Sequence, residues 1–123
     1  MKRVIELKHV GPKAQVRQLI EALIDRVAEK LQHLAADAVS FHAMFDANGT
    51  QTVYRMSVTC HLPGHHTVAA HEESRDSGEA IRKAFAELER QLEKPLAVLH
   101  RDYLKRRSAH QRQAVEARFE SRA

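Results

Sequence analysis

Nine histidines and a single cysteine are the residues of this chain best suited to holding a metal or attacking a substrate, and neither set is spaced for the work. His42, His61 and His71 fall on one side of alternating segments, while His65 and His66 sit together in a turn. No HExxH, CxxC or helical His-x3-His pattern links them. They therefore read as polar surface residues, and neither a metal nor any other cofactor is expected. Cys60 alternates with Tyr54, Met56 and Val58, which makes it a small buried hydrophobe rather than a nucleophile. Ser40, Ser57 and Ser74 have no GxSxG context, four glycines form no phosphate loop, and no opposed carboxylate pair stands out. The chain is not expected to be an enzyme.

The basic residues remain. In "AIRKAFAELERQLEK" (80–94) positive charges return every few residues. At about 100° per residue, Lys83, Arg90, Lys94 and Arg101 lie within roughly 40° of one line, nearly opposite Ile81, Phe85, Leu88 and Leu92. Arg101 joins that line only if the helix passes Pro95 without changing phase, and Glu87 interrupts it. An earlier helical stretch offers Arg17, Arg26 and Lys30 among Glu21, Asp25 and Glu29. On pattern alone this is a solvated face carrying local pairs such as Glu87–Arg90 and Glu79–Lys83, each worth a few tenths of a kcal/mol. If the two helices lie side by side, Arg26 and Lys30 extend the positive strip.

The net charge of +4 is unevenly placed. Residues 1–100 hold 13 basic and 13 acidic side chains. Residues 101–123 hold Arg101, Lys105, Arg106, Arg107, Arg112, Arg118 and Arg122 against Asp102, Glu116 and Glu120, which accounts for the whole excess. Any attraction of the body for an anion must therefore come from arrangement rather than sum.

Periodicity supplies the elements that would position these groups. Alternation marks strands at 3–9, 39–45 and 54–62, with a shorter fourth strand in "HHTVAAHEE". Asn48-Gly49 and Pro63-Gly64 mark the turns between them. Gly11-Pro12 opens a helix in which Val16, Leu19, Ile20, Leu23, Ile24, Val27, Leu31 and Leu34 recur at helical spacing. Asp76 caps a second helix, with Glu79 placed to reach back in a capping box, and Pro95 ends or kinks it. Leu96, Leu99 and Tyr103 suit one or two further turns before a basic tail, 101–123, that is mobile or helical. The order is β-α-β-β-β-α, an α+β fold of one four-stranded sheet with two roughly parallel helices on one face. Residues 1–100 form the domain. No apolar run of about 18–20 residues is present for a membrane span. The N-terminus lacks a secretory pattern, and the lone cysteine suits the cytoplasm.

"LERQLEK" (88–94), preceded by "DSGEAIRKAF" (76–85) and by the strand "HTVAAHEES" (66–74), resembles the second-helix signature of the ribosome hibernation factors. This family is also called ribosome-associated translation inhibitors or sigma-54 modulation proteins. "VRQ…DR" in the first helix is similar too, and the resemblance spans residues 3–94 in element order and spacing. It implies the same β-α-β-β-β-α fold. It also implies binding to the small ribosomal subunit in the decoding region, where family members block mRNA and tRNA and silence idle ribosomes under stress or in stationary phase.

The family's rRNA contacts come from basic residues of the two helices, which match Arg17, Arg26, Lys30, Arg90 and Lys94 here. Arg82 and Lys83 join them by pattern, and Arg101, Lys105, Arg106 and Arg107 by charge. Three positions depart from the family. Glu87 stands where Lys is common, Arg82 where Asp or Asn often follows the helix isoleucine, and "PLAVL" replaces a Lys-rich continuation. A 23-residue tail is too short for the dimerisation domain of the family's long form, so the chain resembles the short, single-domain form and is expected to be a monomer. Two other readings remain: a protein-interaction module that modulates a sigma factor, and a double-stranded-RNA-binding domain, which the extra N-terminal strand argues against.

Overall fold

In β2 (Ser40–Asn48) Phe41, Ala43 and Phe45 are at most 1% exposed, whereas His42 between them is open to solvent. The same alternation recurs in β3 (Val53–Leu62), where Met56, Val58, Cys60 and Leu62 are buried, and in β4 (His66–Ser74), where Val68 and Ala70 are. A strand sends successive side chains to opposite faces, so this pattern allows only one face of the sheet to be covered. The structure is a computed structural model and describes residues 1–8, 13–48 and 53–120.

The strands form a single sheet in the order β1-β2-β3-β4, with β1 (Lys2–Lys8) parallel to β2 and the remaining pairs antiparallel. Register aligns the apolar positions across it: Ile5, Ala43, Val58 and Ala70 form one row, and Phe41, Cys60 and Val68 another. Phe45 stacks on Tyr54 at 5.8 Å between ring centroids. Gly64 and His65 take φ of 76° and 63° in the turn between β3 and β4, a left-handed pair that costs nothing at glycine and is tolerated at histidine.

Helix α1 (Lys13–Lys30) lays Val16, Ile20, Ile24 and Val27 on the apolar face, followed by buried Leu31 just beyond its end. Helix α2 begins at Ser77 and adds Ala80, Ile81, Ala84, Phe85, Leu88 and Leu92. Each helix follows a strand of the same sense, so the two point the same way. This is the expected β-α-β-β-β-α arrangement. No polar or charged side chain among the described residues is buried.

The structure departs from the sequence expectation in several details. Helix α1 ends at Lys30 instead of near residue 34, and a short 3-10 turn (Ala36–Ala38) leads to β2, leaving Leu34 half-buried. Strand β4 has nine residues, as many as β2, and is not the short one. Gly11-Pro12 and the turn after Asn48 lie outside the described residues. At the start of α2, Asp76 Oδ1 accepts the N–H groups of Gly78 (2.9 Å) and Glu79 (3.4 Å), as a cap should.

Glu79 does not return to Asp76. The Asp76 N–H donates to Ser74 Oγ (3.2 Å), and the Ser74 hydroxyl donates to Glu79 (3.0 Å), so the box closes through a third residue. Nor does Pro95 end α2, which runs from Ser77 to Glu120. Proline forfeits only the bond to the Gln91 carbonyl, and the rest of the ladder continues. The chain divides into two compact units, Met1–Leu92 and the segment from Glu93 onward.

Replacing Leu88, fully buried against the sheet, by Ala should cost about 2–5 kcal/mol of unfolding free energy. Asp76→Ala should cost about 1 kcal/mol. Urea denaturation of each variant checks both values.

Candidate nucleic-acid interface

The polar backs of α1 and α2 share one surface because both helices bury their apolar stripes against the same face of the sheet. Arg17, Arg26 and Lys30 of α1 are exposed there, as are Arg82, Lys83 and Arg90 of α2. The two helices are tied by Glu89, whose side chain is only 19% exposed. One of its oxygens lies 3.3 Å from Arg26 Nε and the other 3.3 Å from Lys30 Nζ. Beside it runs a groove of about 220 Å³ lined by Leu23, Arg26, Arg82, Phe85, Ala86 and Glu89.

The remaining pairs are local to α2. Lys83 Nζ meets Glu79 at 2.7 Å, one helical turn away. Arg90 grips Glu87 with two donors, Nε at 2.9 Å and Nη2 at 2.6 Å, and Gln91 donates to the same carboxylate at 3.1 Å. Both pairs were expected from spacing. The Arg90 hydrogen bond, then that of Gln91, hold the Glu87 carboxyl down at about 2, against an ordinary 4.5. Glu79 is lowered chiefly by its hydrogen bond to Lys83, whose own value is raised by the same contact. Arg17 and Arg82 make no ion pair with a described residue; Arg82 leans its guanidinium over Gly78 instead.

In the segment from Glu93 onward, Lys94, Arg101 and Lys105 are exposed, as are the apolar Val98 and Leu104. The side chains of Arg106 and Arg107 lie outside the described residues. By count, residues 1–92 carry 12 basic and 12 acidic groups, and residues 93–123 carry eight basic against four acidic.

The opposite face of the sheet is uncovered and holds His42, His61 and His71. His42 lies 3.5 Å from Glu6, His61 shares a hydrogen bond with Thr67 (3.1 Å), and His71 shares one with Ser57 (2.7 Å). No group of three or more metal-binding side chains occurs among the described residues. Cys60 is fully buried, and burial pushes its thiol up to about 12, which leaves it un-ionised at cellular pH. Among the described residues no helix is long and apolar enough to cross a membrane.

The sequence model of the family described as sigma 54 modulation protein / S30EA ribosomal protein matches residues 4–97. The chain belongs to this family. The matched stretch takes in nearly all of β1, the other three strands, α1 and the first five turns or so of α2, and it stops short of Arg101. The fold is similar to that of a ribosomal subunit interface protein from Coxiella burnetii, 24% identical with a TM-score of 0.62, covering 79% of this chain and 99% of that one. It is similar also to the N-terminal domain of Protein Y from Thermus thermophilus, 21% identical with a TM-score of 0.63, covering 76% and 98%. Comparison with curated proteins returns no significant match.

Within this family member, the residue that spacing did not single out is Glu89. Its partners lie 59 and 63 positions earlier, so no local periodicity points to it.

Because the folded Glu87 carboxyl titrates below its ordinary value, its ionisation favours the folded state above the ordinary carboxylate range, and that contribution fades as pH falls toward 2. Arg90→Ala should raise the Glu87 titration midpoint from about 2 toward its ordinary value, stopping short of it because the Gln91 hydrogen bond remains. Side-chain carbon NMR across pH 1.5–7 reads both.

Proposed function

We propose that the protein is a ribosome-associated translation inhibitor that binds the small ribosomal subunit in its decoding region and blocks mRNA and tRNA there. The observation that carries this reading is the family match over residues 4–97, which includes the paired helices with their exposed cations. A second support is the similarity in fold to the Coxiella burnetii protein, a ribosomal subunit interface protein. The ribosome would place the protein in the cytoplasm, acting as a monomer and without a cofactor.

The chemistry required is phosphate contact. Lys and Arg displace counterions condensed on rRNA, and such contacts position a protein by backbone shape rather than by base sequence. The contact set proposed comprises Arg17, Arg26, Lys30, Arg82, Lys83, Arg90 and Lys94 in the domain and, separately, Arg101, Lys105, Arg106 and Arg107 in the basic tail. Since the body has no net charge, the tail supplies the long-range attraction and the body the fit. Inhibition then follows from occupied volume, and turnover of a substrate plays no part.

The test is gradient sedimentation with purified ribosomal subunits. The full chain should travel with the small subunit at about 50 mM salt. With the eleven phosphate contacts proposed, affinity should fall on the order of 10⁵-fold by 200 mM. A chain ending at residue 100 should bind more weakly and with a shallower salt dependence. Reversing Arg90 and Lys94 to Glu should release the protein. A protein that stays at the top of the gradient at low salt, or binds as before after the reversal, is not this inhibitor. Retention of a protein partner after nuclease treatment would favour the sigma-factor reading instead.

A further inference from the structure

Four of the cations just assigned to RNA contact, Arg26, Lys30, Lys83 and Arg90, are already paired with carboxylates of α2, Lys83 with Glu79 and the other three with Glu87 and Glu89. Glu89 spans Arg26 and Lys30 with one oxygen on each, and Glu87 takes two donors of Arg90. Two donors of one guanidinium on one carboxylate is also the arrangement that a guanidinium makes with a phosphate. Arg26 uses only its Nε in the pair, and the Arg26 and Lys30 side chains are 65% and 52% exposed. Their outer donors still face solvent. The Glu89 and Glu87 side chains, 19% and 29% exposed, are less exposed than the cations they hold.

We infer that Glu87 and Glu89 are specificity-determining residues which compete with RNA phosphates on the helical surface, so that RNA reaches the full set of donors on Arg26, Lys30 and Arg90 only by exchange with these carboxylates. The inference rests on the RNA-binding reading above. It follows that an isolated phosphate, or a flexible strand that offers phosphates one at a time, gains little by displacing a carboxylate held in place by the same polypeptide. A rigid RNA surface that presents several phosphates at the right spacing replaces the carboxylates together, and adds contacts to Arg17 and Arg82, which have no competing partner among the described residues. The masking carboxylates thus penalise loosely organised RNA more than a folded target. Glu87 acts within one helix. Glu89 acts across two, and it also fixes the spacing of Arg26 and Lys30 relative to α2, which makes it a positioning residue as well.

The experiment uses the full-length chain, Glu87→Gln, Glu89→Gln and the double variant, titrated against purified small ribosomal subunits and against poly(U) over a range of KCl concentrations. Each single variant should bind poly(U) roughly two- to fivefold more tightly at low salt. Its plot of log affinity against log salt should steepen by about 0.7 for each cation released to a single strand. Affinity for the small subunit should rise less, so the ratio favouring the subunit falls. Unchanged or weaker poly(U) binding with an unchanged slope, or an unchanged ratio, overturns the inference.

Urea denaturation separates a masking role from a structural one. If Glu89→Gln unfolds, Glu87→Gln decides alone, since its partner lies one turn away on the same helix. The result is separable from the ribosome reading: wild-type protein that fails on the subunit removes that reading, while the poly(U) response of Glu87→Gln still decides whether the carboxylate masks Arg90. Absence of poly(U) binding by every variant overturns it.

Discussion

The rest of this structure depends on the burial of one face of a four-stranded sheet. Phe41, Phe45, Met56, Val58 and Cys60 all point to the same side, and covering them excludes water from the largest apolar surface the chain possesses. Both helices are drawn to that side, and the sense of the strands before them makes them run together. Their polar backs then form one surface from residues far apart in the chain. The charges of residues 17–30 and 82–90 meet because hydrophobic burial leaves the two helices nowhere else to go.

That surface is arranged rather than strongly charged. The body has equal numbers of acidic and basic groups, so its field at a distance is weak, and what it offers a polyanion is decided at contact range. Exposed ion pairs of the kind seen here contribute about 0.2–1 kcal/mol each, too little to hold the fold together and little enough to be exchanged for a better partner. Stability rests with the core rather than with these ion pairs. The uncovered face of the sheet differs in kind: its histidines are engaged with Ser57, Thr67 and Glu6, and among the described residues it presents no Phe, Tyr or Trp ring on which a base would stack.

Much of this was legible in the residues. Alternation located the four strands to within a few positions, apolar periodicity located both helices, and Asp76 marked the start of the second. Local ion pairs were legible for the same reason, since residues three or four apart on a helix are always neighbours. The misreadings have physical causes. Pro95 was read as ending or kinking the helix, yet one lost hydrogen bond does not end a helix whose other bonds remain, and α2 continues past it. The capping box was taken as two residues, but Ser74, arriving from the end of β4, stands between Asp76 and Glu79. Leu34 kept the apolar period beyond the last helical turn because it packs after the chain has already left the helix.

The sequence by itself determined the order of elements, the side of each that is buried, and the pairs Glu79–Lys83 and Glu87–Arg90, because each follows from the fixed geometry of a single strand or helix. Only the tertiary structure decided that Arg26 and Lys30 converge on Glu89 and that a groove opens between Leu23 and Phe85. Those contacts depend on how far apart, and in what rotation, two helices settle on a shared sheet. That is set by the packing of side chains from all six elements at once, and no single stretch of residues carries it.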